Sequence, residues 1–161
     1  MRRPILTLLC ALVLASCKRD PAPVGFETPE ATINTLFRSY GVEKMSQEEA
    51  RQRLRSRERF ELLDSELYRS CFADWQGEHD QALGGFVFGQ LVAAKDELKV
   101  EVDGDVAKVI VAPAASNIEP IVLVQVERAW KIDLRQSVPP QIRQSLYEVY
   151  RRARRNEQLA R

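Results

Sequence analysis

Residues 98–111 read Leu98-Lys99-Val100-Glu101-Val102-Asp103-Gly104-Asp105-Val106-Ala107-Lys108-Val109-Ile110-Val111. Leu98, Val100 and Val102 alternate with Lys99, Glu101 and Asp103, the period-two pattern of a strand with one buried face. Asp103-Gly104-Asp105 is a tight-turn signal, because glycine enters left-handed backbone without steric cost, and it predicts a hairpin into a second strand over 106–111. Downstream, Ile121 to Val126 is apolar at nearly every position, and Ala129 to Arg135 alternates again with Trp130, Ile132 and Leu134 on one side. Consecutive strands with such short connections predict an antiparallel meander. Upstream, Phe86 and Phe88 carry the same period, so the strand region is expected to begin at Gly84.

Helical signals flank the meander. Thr28-Pro29-Glu30 supplies an N-cap, a proline at the first helical position and an early acid, and Ile33, Leu36, Phe37 and Tyr40 keep helical spacing up to Gly41. Ser46-Gln47-Glu48-Glu49 has the capping-box pattern, and Arg51, Arg53, Arg55, Arg57 and Arg59 after it scatter around a solvated, salt-bridged helix. Asp64-Ser65-Glu66 caps a third helix whose Leu67, Tyr68, Cys71, Phe72 and Trp75 share a face to near Gly77. Pro139 and Pro140 open a last helix, with Ile142, Leu146, Tyr147 and Tyr150 on one face. The expected fold class is α+β, with N-terminal helices packed on a curved antiparallel β-meander and a C-terminal helix. Ile110, Ile121 and Leu123 are expected opposite Val109, Val111, Val122 and Val124, which makes both sheet faces apolar. The last helix is the expected cover for the second face; a homodimer through the sheet is the alternative, leaving monomer and homodimer both open.

The chain has 161 residues, with 24 Lys+Arg against 23 Asp+Glu, one His and three Cys. Near-neutrality without a concentrated basic face argues against a nucleic-acid partner. Met1-Arg2-Arg3-Pro4 followed by the apolar run Ile5 to Ala15 is export-signal architecture, too short to cross a bilayer as a helix. Residues 1–16 are therefore expected to be a signal peptide and 17–27 a tether containing Pro21 and Pro23, with a single domain over 28–161.

Leu14-Ala15-Ser16-Cys17 resembles the lipobox of bacterial lipoproteins. The resemblance implies that Cys17 is lipidated and becomes the first residue of the exported chain, anchored in the cell envelope. Lys18 stands where an Asp would often signal inner-membrane retention, so the outer membrane, facing the periplasm, is the expected location. With Cys10 lost in the leader and Cys17 acylated, Cys71 alone remains, and no intramolecular disulfide is possible. Cys71 reads as a small core residue.

The order of helices, meander and final strand resembles the nuclear-transport-factor-like (cystatin-like cone) superfamily. The resemblance is carried by Thr28-Pro29-Glu30-Ala31, by Val102 to Val109 with its Asp-Gly turn, and by Val126 with Trp130-Lys131-Ile132-Asp133. It implies a cone whose pocket would be lined by Phe37, Tyr40, Phe72, Trp75, Phe86, Phe88 and Trp130, unless these rings simply fill the core.

No constellation names a reaction. Gly84-Gly85-Phe86-Val87-Phe88-Gly89 lacks the spacing and the Lys of a phosphate loop, and Gly-x-Ser-x-Gly is absent. Glu78, His79 and Asp80 are metal-capable types, but adjacent residues point apart, so no metal and no cofactor are expected. The expectation is a non-catalytic binding module for an envelope protein partner or an apolar small ligand. An enzyme of the same fold, using Asp74 or His79 as base, is the alternative; a secretion-accessory or immunity-like protein is a third reading. Arg151, Arg152, Arg154 and Arg155 form a basic end that suits the helix dipole, an anionic lipid surface or a partner.

Overall fold

The computed structural model describes residues 24–111 and 118–160. The leader, Cys17 and most of the tether lie outside them. Helix α1 spans Pro29–Ser39, α2 Gln47–Ser56, α3 Ser65–Ser70 and α4 Gln81–Ala93, the last preceded by a 3-10 turn at Glu78–Asp80. Strands β1 (Lys99–Asp103), β2 (Val106–Ile110), β3 (Ile121–Val126) and β4 (Ala129–Ile132) form one antiparallel sheet in the order β1-β2-β3-β4. A short α5 (Leu134–Ser137) and the long α6 (Pro140–Leu159) close the chain. The architecture is α+β, as the alternation, the Asp-Gly turn and the caps predict.

The caps work as the sequence indicates. Thr28 accepts from the Ala31 amide, Asp64 from the Leu67 amide, and Ser46 and Glu49 satisfy each other's backbone as a capping box. Gly104 sits at φ +59 between β1 and β2, the left-handed conformation the hairpin needs.

Helix α1 is the centre of the core. Ala31, Ile33, Leu36 and Phe37 are buried, and so are Thr32, Thr35 and Ser39, whose hydroxyls donate to backbone carbonyls. The Thr32 hydroxyl reaches the carbonyl of Trp130 on β4 at 2.8 Å. A fully wrapped helix tolerates such residues because each hydroxyl has a partner.

Four expectations are corrected. Residues 84–93 are helical, belonging to α4, and are not the start of the sheet. Leu83, Val87 and Leu91 recur every fourth position and are fully buried with Val92, a helical stripe that outweighs the brief Phe86/Phe88 alternation. Helix α3 stops at Ser70, well before Gly77, and Phe72 instead bridges in parallel to Ile132 at the free edge of β4. The amides of Ala73 and Ile132 there donate to the carbonyls of Ile132 and Cys71. Strand β4 ends at Ile132, because Asp133 turns to cap α5 by accepting from the Gln136 amide. Finally, Val109 pairs across from Ile121, and Leu123 pairs with Ala107 and Ile132. Ile121 and Leu123 thus share the core face with Val109, and Ile110 joins Val122 and Val124 on the other. Helix α6 packs against α4, and on that outer face it is the short α5 that lies against β3, where Val122 is buried, while Val126 at the strand end is 45% exposed.

Cys71 is fully buried, and burial pushes its thiol pKa up to about 12. Burial also raises the Tyr68 phenol. Both groups hold their protons longer in the native state than in the unfolded chain, so their contribution to stability is full below about pH 9 and is lost as pH rises beyond it. A urea-denaturation series from pH 7 upward should show this fall. A disulfide reagent at pH 8 should label Cys71 only when urea unfolds the chain.

Candidate functional site

An open groove of about 570 Å³ is flanked by α2, α4 and the end of β2. Arg51 and Leu54 of α2 form one wall, and Gly85, Phe86, Gly89 and Gln90 of α4 form the floor. Val111 and Ile118 complete the far side, with Ile118 48% exposed. The walls are clamped at one end: Arg51 Nε donates to the Ala93 carbonyl at 2.8 Å, a cation at the C-terminus of α4, and its guanidinium pairs with Glu97 at 3.1 Å. Gln47 adds a reciprocal pair, its amide nitrogen on Glu97 and its oxygen accepting from the Asp96 amide.

The three glycines at the start and middle of α4 differ in what surrounds them. A Cβ at Gly84 would lie 2.7 Å from Phe72 Cζ and 2.8 Å from Tyr68 Cζ, so close packing inside the domain demands glycine. Among the described residues, a Cβ at Gly85 or Gly89 would meet nothing within 4 Å. These two are four residues apart, hence one turn apart on the same side of the helix, and leave bare backbone on the groove floor. A mid-helix glycine costs roughly 0.5–1 kcal/mol relative to alanine, and at these positions no contact with the described residues offsets that cost.

The rings expected to line a pocket are mostly packed on one another. Tyr40 stacks on Phe88 with centroids 3.9 Å apart, and Phe37 meets Phe88 edge-on at 6.3 Å. Phe72 stacks with Trp75 at 5.7 Å. Tyr68 ties the two groups together through edge contacts to Tyr40, Phe72 and Trp75, while its hydroxyl donates to the Gln81 carbonyl. Phe37, Phe72 and Phe88 are buried, as is Trp130, which sits on the sheet side and is held by its backbone to Phe26 and Thr32. Phe86 is the ring of this set that faces the groove.

A second constellation gathers the titratable residues. The Asp80 side chain is 0% exposed and accepts from the Gln76 amide at 2.7 Å, Arg135 Nη1 at 3.3 Å and the Tyr147 hydroxyl at 2.9 Å. Asp74 accepts from the amides of Leu134 and Arg135 and from Arg135 Nη1 at 3.1 Å. His79 Nε2 stands 3.6 Å from Asp80 Oδ1, its ring edge-on to Tyr147. Burial, then the bond to Asp80 and its negative charge, raise the Tyr147 phenol above its ordinary value. Both carboxylates are thus engaged by donors that fold the chain: Asp74 holds the start of α5, and Asp80 fastens α6 to the body.

No protein-family model, curated protein or solved structure matches this chain.

Among the described residues, no three His, Cys, Asp or Glu side chains are placed to hold a metal ion, and no helix is long and apolar enough to cross a membrane. The sequence reading missed the groove because it took 84–89 for strand. The signal was there: Gly85 and Gly89 at helical spacing inside an apolar run, with Leu83, Val87 and Leu91 marking the opposite side.

Proposed function

We propose that this is a lipid-anchored envelope protein, held through Cys17 at the outer membrane facing the periplasm, whose domain binds a protein partner without catalysis. The partner lays an apolar segment into the groove between α2 and α4. The observation that carries this reading is the bare backbone of Gly85 and Gly89 under an apolar groove, where a side chain from outside can approach closely. The packed rings favour a protein partner over a small ligand carried inside the domain, since Phe37, Phe72 and Phe88 are committed to each other. The engaged oxygens of Asp74 and Asp80 favour binding over acid/base chemistry, which needs a group free to exchange a proton with substrate. The anchor rests on the Leu14-Ala15-Ser16-Cys17 tetrapeptide and its apolar leader, and kinship to the cone superfamily rests on the order of helices, hairpin and final strand.

The test places a photo-crosslinking residue at Leu54 in the full chain, in cells, with Glu101 on β1 as control. Leu54 is expected to give an adduct of defined mass and Glu101 none. Gly89→Met should abolish the adduct while raising unfolding stability by up to about 1 kcal/mol, because methionine is a good helix former and its Cβ would meet none of the described residues within 4 Å. Equal adducts at both positions, or an adduct that survives Gly89→Met, would overturn the groove as the site. Cys17→Ser should separately release the chain from the membrane fraction.

A further inference from the structure

Helix α6 is docked over its first half and has no packed face over its second. Leu146 and Tyr147 lie against the core, Tyr147 bonds to Asp80, Arg143 donates to the Arg135 carbonyl, and Tyr150 faces His79. From Arg151 to Ala160 every residue is exposed. At 1.5 Å per residue, roughly 15 Å of helix therefore stands clear of the domain.

That free half carries Arg151, Arg152, Arg154 and Arg155, and α6 as a whole holds five Arg against Glu148 and Glu157, leaving 19 basic and 21 acidic residues elsewhere. Arg154 pairs with Glu157 at 3.3 Å. Among the described residues, no acidic side chain lies within ion-pair distance of Arg151, Arg152 or Arg155. Arg151 and Arg155 are one turn apart, a like-charge pair that weakens an isolated helix. The helix also exposes Val149 at 65% and Leu159 at 86%. An exposed helix that joins a basic cluster to protruding aliphatic side chains has the make-up of an interfacial element, in which phosphates meet the arginines and apolar groups enter the headgroup boundary.

We propose that the second half of α6 lies on an anionic phospholipid surface and sets the orientation of the domain on its membrane. This rests on the lipid anchor only for bringing the helix within reach of that surface. The occupant is lipid because the rest of the chain is slightly acidic whereas this projecting helix is net positive, and because four arginines within five residues match a surface of repeated phosphates.

The test uses the full chain reconstituted into vesicles of phosphatidylglycerol and phosphatidylcholine or of phosphatidylcholine alone, with amide hydrogen exchange read over residues 149–160. Exchange there should slow in the anionic vesicles only, by roughly fivefold for each arginine engaged, and the protection should fade as salt is raised. Replacing Arg151, Arg152, Arg154 and Arg155 with Gln should remove the protection while circular dichroism stays helical. Equal exchange in the two vesicle types overturns the proposal. So does protection that arises only on adding an acidic polypeptide or RNA, which would assign the helix to such a partner. Alkaline extraction of the same vesicles reports the N-terminal anchor independently, so a failed anchor and a failed α6 contact are told apart.

Discussion

Asp80→Ala is expected to lower unfolding free energy by about 3 kcal/mol, the lower end of the cost of breaking a buried ionic network by removing one member. The carboxylate is fully inaccessible and receives three donors from separate places in the chain: the Gln76 amide, Arg135 and Tyr147. Its loss strands the amide and the phenol without an acceptor. Arg135 keeps Asp74 as a partner, which is why the upper end of the range is not expected. Asp80→Asn retains an acceptor oxygen but adds an NH2 that faces donors, so it should cost less than the alanine and more than zero. Urea denaturation reads both. An Asp80→Ala midpoint equal to that of the parent chain would show that this network does not hold α6 to the body. Tyr147→Phe should loosen α6 more selectively, with faster amide exchange over the helix and a smaller change in the midpoint.

Gly84→Ala should destabilise the domain by about 2 kcal/mol, although alanine is intrinsically the better helix former. The added methyl would lie within 2.8 Å of Tyr68 Cζ and Phe72 Cζ, and closest of all to the Tyr68 hydroxyl oxygen. Those rings cannot retreat easily, since Tyr68 and Phe72 are locked against Tyr40 and Trp75. The test is a reversal of sign. Tyr68→Phe alone removes the hydrogen bond to the Gln81 carbonyl and should cost about 1 kcal/mol. In the Gly84→Ala background the same change removes the nearest clashing atom and should recover stability. Additive effects of the two substitutions in thermal unfolding would refute the packing account.

The fold was legible where local chemistry and tertiary demand agree. Thr28, Ser46 and Asp64 cap helices in the structure because their hydroxyl or carboxylate oxygens reach amides that any helix start leaves unpaired. The Asp103-Gly104-Asp105 turn is equally local. Errors arose where a longer-range partner decides. Asp133 ends β4 through its own cap, a signal visible at Asp133-Leu134-Arg135-Gln136 but masked by the apolar alternation of Trp130, Ile132 and Leu134. Phe72 leaves helical spacing because the edge of β4 needs a partner, and that edge is 60 residues away. The groove depends on which side of α4 is buried, and three glycines in six residues hid the helix from a propensity reading. The cluster around Asp80 draws on residues 74–80, 135 and 147, brought together only by the docking of α6.

The bond from Thr32 to the Trp130 carbonyl, with the bridge between Phe72 and Ile132, has a consequence for the order in which the chain matures. Helix α1, the first folded element along the chain, is enclosed on one side by its last strand. While the chain is being made or threaded through a narrow passage from its N-terminus, α1 can pack against α3 and α4 early, but its side toward β4 stays open until residue 132 has emerged. Its Thr32 hydroxyl lacks the Trp130 carbonyl throughout that interval. The contact that closes this side joins residues 98 apart in sequence, so it comes late.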